Sequence, residues 1–277
     1  MSGLSVSDLP SLLGYGFFQN ALVGGALAGA TCAAIGLFLL LRRQALIGEG
    51  LAHLSFGGIA LGLFLGVYPI YTALLLSIIA TIIITYLHRK GIAQSDAGIG
   101  IVVAFGLSLG LVLISLSKGF SVDLFSYLFG SILTMDVQDL YTSAGLAILS
   151  LIFLLILHKE ILYITFDEKS ARVSGVPVEA IELSFNVLVA VTVTLSIKLI
   201  GILLVTGVLI LPGVSALQLR ASFRGTISVA VGLAVVSVIT GIILSALADL
   251  PTSAVIIFVS ITAAALCGIY RRLGGRG

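Results

Sequence analysis

Apolar runs recur along this chain at 17–41, 46–67, 70–87, 97–116, 139–157, 179–197, 199–219, 226–247 and 252–270, nearly all separated by short polar or charged breaks. Crossing the hydrocarbon of a bilayer takes a helix of about 20 residues, and most of these runs have that length. Hydrocarbon offers no hydrogen bonds to a peptide backbone, so a spanning segment must be a helix or part of a closed barrel. Barrel strands alternate apolar and polar residues, whereas these runs are continuously apolar, which selects helices. The expectation is an all-α polytopic membrane protein with eight to nine transmembrane helices, since one segment could be re-entrant or two short ones could form a broken pair. Charged residues make up only 9% of the 277 residues, against about 25% in soluble domains. No soluble domain fits between the segments, so residues 1–277 form a single transmembrane domain in a cell membrane.

Topology follows from the basic residues. Lys and Arg fall after alternate segments: Arg42 and Arg43; Arg89 and Lys90; Lys159, Lys169 and Arg172; Arg220 and Arg224; Arg271, Arg272 and Arg276. The positive-inside rule puts all five clusters in the cytoplasm and the N-terminus outside. The opposite connections are Tyr68-Pro69, Ser117 to Gln138, a break at Lys198, and Asp249-Leu250-Pro251. The long outer loop mixes Asp123, Asp136 and Asp139 with Phe120, Phe125, Tyr127 and Phe129, a composition for an interfacial aromatic belt or for a surface that docks an external protein. Met1 to Leu13 lacks a basic residue ahead of an apolar core, so no cleaved signal peptide is expected. Cys32 and Cys267 lie within apolar runs and read as small packing residues. The short basic pairs are topology signals, and no nucleic-acid surface is implied.

One carboxylate and one imidazole sit inside the second run, in Gly48-Glu49-Gly50-Leu51-Ala52-His53. On a helix, positions four apart share a face, so Glu49 and His53 stack one turn apart. Gly57 continues their column, and Gly50, Gly58, Gly62 and Gly66 form the next one. Glycines at this spacing let membrane helices approach closely, so the polar pair borders a helix-packing seam. An ionisable group costs about 2.5–3.5 kcal/mol at the bilayer centre, which makes such a pair a functional candidate. A carboxylate oxygen with a neutral imidazole nitrogen suits Zn²⁺, Mn²⁺ or Fe²⁺ better than Mg²⁺ or Ca²⁺. Two ligands hold a cation weakly, as passage requires; Asn20, Asn186 and helix hydroxyls are available to supplement them. From the residues alone, a metal path, a proton relay in a secondary transporter, and a hydrogen bond that only fixes packing all remain open. Counted from Leu46, His53 lies about 10 Å along the helix, nearer the inner third of the bilayer than its centre.

Outside the spans, Asp167 is placed as an N-cap, Glu168 and Arg172 as an i,i+4 ion pair, Gly175 at the C′ position and Pro177 as a stop. These signals define a short cytoplasmic helix, long and polar enough for a partner to grip. Lys198 marks an external turn, and Pro212 invites a kink in the run that contains it. The chain has neither a Walker A loop nor His-Glu-x-x-His, so it is not expected to bind ATP, and an enzyme is the weaker reading.

With these features in place, the chain resembles the ABC-3 family of permease subunits that import zinc, manganese or iron(II). Gly48-Glu49-Gly50-Leu51-Ala52-His53 resembles that family's Gly-Asp-x-x-x-His element, with Glu in place of Asp. Ser95-Asp96-Ala97-Gly98-Ile99-Gly100-Ile101 is similar to its acidic-then-Ile-Gly-Ile segment, and Asp167 to Pro177 to its coupling helix. Ile197 to Leu204, followed by Leu209-Ile210-Leu211-Pro212, is similar to its late helical hairpin. The resemblance implies a homodimer, two cytoplasmic ATPase subunits and an external metal-binding protein. It also implies that the divalent ion is cargo, that no cofactor is permanently bound, and that Glu49 and His53 line the metal path. On this resemblance Asp167, Glu168, Arg172, Gly175 and Pro177 carry the ATPase coupling. A proton-coupled secondary metal transporter is the alternative.

Overall fold

The computed structural model describes residues 14–90, 95–117, 127–130, 137–219 and 222–274. Among them every regular element is a helix: α1 (Gly16–Leu41), α2 (Ala45–Leu65), α3 (Pro69–Arg89), α4 (Ser95–Leu116), α5 (Val137–Phe166), α6 (Glu168–Val173), α7 (Val178–Ile200), α8 (Ile202–Gln218), α9 (Phe223–Ala248) and α10 (Thr252–Gly274). Each apolar run of the sequence is therefore one helix. Eight are long and apolar enough to cross a membrane, and α8, with 17 residues, is a shorter apolar helix.

Two boundaries differ from the sequence reading. Helix α5 continues past residue 157 to Phe166, because Ile161 and Ile164 give its last turns a buried face and Asp167 terminates it. At 30 residues it is about 45 Å long, well beyond the hydrocarbon thickness. The break expected at Lys198 falls at Gly201, and Lys198 sits in the last turn of α7. The reason is steric. Gly201 has φ +90°, and a Cβ there would stand 2.5 Å from the Gly130 nitrogen. Gly130 has φ +71° and faces the Ile200 carbonyl just as closely. Only glycine combines that backbone with that proximity, so 127–130 docks on the α7–α8 turn.

The chain divides into two compact units. The first holds 1–40, 125–147 and 196–277. In it α1 is packed around small residues: a Cβ on Gly36 would collide with the Leu209 carbonyl of α8, and Gly25 and Gly29 meet Val238 of α9. Cys32, Ile35, Leu37, Phe38, Leu204 and Leu209 are fully buried. Cys32 serves as a packing residue whose thiol reaches the Ser196 hydroxyl at 3.4 Å. Pro212 is buried within α8, where it removes the N–H that would donate to Val208.

The second unit holds 41–124 and 148–195. Its centre is α2, which packs on α3 and α4. The glycine columns form the expected seam and divide the work. Gly58 and Gly62 abut Ala73 and Pro69 of α3, whereas Gly50 and Gly57 abut Ile99 and Gly106 of α4. Gly66 lies outside this seam: it is the left-handed C-cap of α2, with φ +68° and open space beside it. The stretch Gly106-Leu107-Ser108-Leu109-Gly110 spells the Gly-x-Ser-x-Gly of a hydrolase, but it lies in mid-helix, and its glycines pack on Leu54 and Phe56 of α2. A nucleophile elbow needs a strand-to-helix turn, so this pentapeptide is a packing element.

Candidate functional site

Glu49 and His53 lie one turn apart on α2, both half-buried between fully buried neighbours. The opposite side of the helix is anchored. Ser55, two residues beyond His53, hydrogen-bonds Ser77 of α3 at 2.9 Å and Thr194 of α7 at 3.1 Å. These hydroxyls are satisfied in the interior and hold one face of α2 against two helices, so Glu49 and His53 are left on the other face. Among the described residues neither makes a hydrogen bond or ion pair, and no third His, Cys, Asp or Glu joins them in a metal cluster. The pair is therefore not tied up in a bond that merely fixes packing. Asn186 lies elsewhere, bonding Thr85 of α3 at 3.1 Å.

The second feature is the corner between α5 and α7. Asp167 accepts from the Ser170 backbone at 2.9 Å and from its hydroxyl at 2.5 Å, capping α6. These bonds hold its carboxyl below the usual carboxylate range. Gly175, with φ +81°, and Val176 donate back to Arg172 and Ala171 at 3.2 and 3.1 Å, closing a Schellman motif ahead of Pro177. Arg172 bonds Glu168 at 3.0 Å, as its spacing indicated, and also Glu179 of α7 at 3.2 Å. Both carboxylates raise the Arg172 pKa. The Tyr163 hydroxyl meets that of Ser174 at 3.0 Å, so α6 is tied to both spans that flank it.

A third feature has no counterpart in the sequence reading. Arg42, in the α1–α2 turn, donates to Glu182 of α7 at 2.7 Å, and both side chains are largely buried. Its guanidinium sits 5.5 Å from the centroid of the Phe185 ring. Burial lowers the Arg42 pKa, and attraction to Glu182 opposes that shift. The only signal available in the sequence was an acid, Glu182, set early in an apolar run.

Of the residues read from sequence, Lys118, Phe120, Asp123, Phe125, Asp136, Arg220, Arg276 and 1–13 lie outside the described residues. So do the side chains of Arg89, Asp96 and Asp139. Tyr127 and Phe129 are described, Phe129 at 39% exposure.

Eight helices long and apolar enough to span, with a capped polar helix set between two of them, define a multi-pass membrane protein. The chain belongs to the ABC 3 transport family, whose model it matches over residues 14–271. It is 31% identical over 255 residues to the manganese transport system membrane protein MntC of Halalkalibacterium halodurans, covering 92% of this chain and 87% of that one. It is 32% identical over 230 residues to the high-affinity zinc uptake system membrane protein ZnuB of Haemophilus influenzae, covering 83% and 88%. Among solved structures it is similar to PsaBC from Streptococcus pneumoniae in complex with Fab, with a TM-score of 0.85 and 27% identity over 97% of this chain and 99% of that one. The protein is thus the membrane permease of an ABC transporter, embedded in the cell membrane by its apolar helices.

Proposed function

We propose that this permease imports a divalent transition-metal ion, Mn²⁺ or Zn²⁺ above all, and that Glu49 and His53 are its stepping stone through the membrane. The observation that carries this reading is the unpaired, half-buried acid and imidazole one turn apart on α2, the helix around which its unit is packed. Relatives named for manganese and zinc transport support it. Two ligands leave a transition metal short of the usual four, which favours release over retention. A dimer of this subunit would bring two such faces together about a two-fold axis, and water would complete the shell otherwise.

On this reading residues 1–277 act as one permease domain with the basic clusters in the cytoplasm. The chain is not itself an enzyme and carries no resident cofactor. ATP is hydrolysed in separate cytoplasmic subunits that grip α6 through the frame built by Asp167, Glu168, Arg172, Gly175 and Pro177, and an external binding protein delivers the ion. The test is ion uptake into vesicles holding the assembled complex, run with Mn²⁺, Zn²⁺ and Fe²⁺. Glu49→Ala and His53→Ala should abolish most uptake while leaving assembly intact. Uptake at the unmodified rate in both variants would refute the site.

A further inference from the structure

The buried Arg42–Glu182 pair stands between the corner that carries α6 and the helix that carries Glu49 and His53. Glu182 lies in the second turn of α7, three residues beyond the Glu179 that bonds Arg172 of α6. Arg42 lies just ahead of α2, in a turn whose next residue, Arg43, has φ +57°. One ion pair therefore ties the start of α2 to the start of α7.

The polar surroundings of that pair are only half satisfied. Beside it lies a cavity of about 20 Å³ lined by Gln44, Ile47, Thr81, Thr85, Glu182 and Asn186. Two carbonyl oxygens among these residues, Gln44 Oε1 and Asn186 Oδ1, are buried without a hydrogen-bond donor among the described residues. Asn186 is only 4% exposed. A buried acceptor without a donor costs free energy and calls for an explanation. Its position supplies one. Asn186 follows Glu182 by four residues on α7, so the helix carries two acceptors on the same face, one engaged by Arg42 and one free, separated by a rise of about 6 Å. Arginine has five N–H donors in a fixed fork and no acceptor, so it can exchange one oxygen for another. Packed helices that slip past one another by one turn between two discrete seatings are a known form of conformational switch.

We infer that Arg42 is a positioning residue with two seats on α7, Glu182 and Asn186, and that moving between them shifts the start of α2, and with it Glu49 and His53, when α6 is pulled. This inference rests on the importer reading for what α6 and the polar pair do. Glu182 supplies the seat observed here. Asn186 supplies the other, one turn further along α7 and beside the cavity.

The test uses the full complex of permease, ATPase subunits and binding protein in vesicles, scored as Mn²⁺ or Zn²⁺ taken up per ATP hydrolysed. Asn186→Leu is the discriminating variant, because it keeps the Arg42–Glu182 pair and the branched side-chain shape while deleting the unsatisfied oxygen; the amide donor to Thr85 goes with it, so Thr85→Val, which loses that bond and keeps the oxygen, is the control. A purely structural role predicts that Asn186→Leu and Thr85→Val lose thermal stability alike and both keep normal uptake per ATP. The two-seat role predicts the same stability in both, with uptake per ATP reduced by about tenfold or more in Asn186→Leu alone. Arg42→Lys, which keeps the charge but loses the fork, should fall likewise, and the exchange Arg42→Glu with Glu182→Arg should not rescue it. A second arm does not depend on the cargo. Spin labels at Arg43→Cys and Ser184→Cys, with Cys32→Ala and Cys267→Ala, should report a nucleotide-dependent change of about 5 Å that Asn186→Leu abolishes. Normal coupling in Asn186→Leu, or a label distance unmoved by nucleotide, would overturn the inference. If the unmodified complex took up no divalent ion, the importer reading would fail, and the label arm alone would decide this one.

Discussion

Substituting Gly106 with alanine tests whether the α2–α4 seam sets the position of His53. A Cβ at residue 106 would stand 2.5 Å from Leu54 Cα and 2.6 Å from the His53 carbonyl oxygen. Carbon atoms in ordinary contact sit about 3.5–4.0 Å apart, so the two helices would have to separate by about 1 Å. The obstructing atoms are backbone, with no flexible side chain to yield, and from the other side a Cβ on Gly57 would stand 2.6 Å from the Gly106 carbonyl oxygen. Overpacking of this kind costs about 1–3 kcal/mol. For a chain of this size that lowers the melting temperature by about 2–12 °C. Because the atoms pushed belong to His53 and Leu54, uptake should fall further than the stability loss alone requires. Gly100→Ala, on the same helix with open space around its Cβ, is the control and should change neither quantity. The assay is thermal unfolding of the purified complex alongside vesicle uptake. If Gly106→Ala matched the unmodified protein in both, or if Gly100→Ala fell equally, glycine spacing would not be what positions His53.

Gly201→Ala should destabilise through its φ of +90° and its collision with the Gly130 backbone, a strain of about 1–3 kcal/mol before any clash, read as a lowered melting temperature. Arg42→Ala removes the guanidinium that bonds the largely buried Glu182 and should cost up to about 3–5 kcal/mol, whereas replacing both residues with apolar ones should cost much less; a double-mutant cycle on thermal stability measures the difference. The Asp167 carboxyl has a depressed folded pKa, so its capping contribution is present above its unfolded value and is lost as pH falls through the folded one. The protection of the Ser170 amide relative to its intrinsic exchange rate should therefore hold down to about pH 4 and fall in stronger acid, while Asp167→Ala should lack it at every pH.

What could be read from the sequence depended on how far apart the informative residues lie. The α6 frame was fully legible because Asp167, Glu168, Arg172, Gly175 and Pro177 act within eleven residues, and cap, ion pair and Schellman turn all obey local rules. The glycine columns of α2 were legible for the same reason, although the division of one column between α3 and α4 was not. Helix ends were less legible where hydropathy stopped before packing did. The run ending at residue 157 is followed by His158, Lys159 and Glu160, yet α5 continues, because Ile161 and Ile164 are buried on one face. Lys198 drew the expected turn to itself, although a charge near a helix end can remain helical, and the true stop was the glycine whose φ and close neighbour allowed nothing else. The Arg42–Glu182 pair spans 140 positions, and no spacing rule reaches so far. Arg42 in fact argued for the wrong environment: read as a topology signal it belongs in water, yet its guanidinium is buried against Phe185 and a carboxylate. The same cluster sets topology and builds structure at once, since Arg43 beside it stays exposed while Arg42 turns inward.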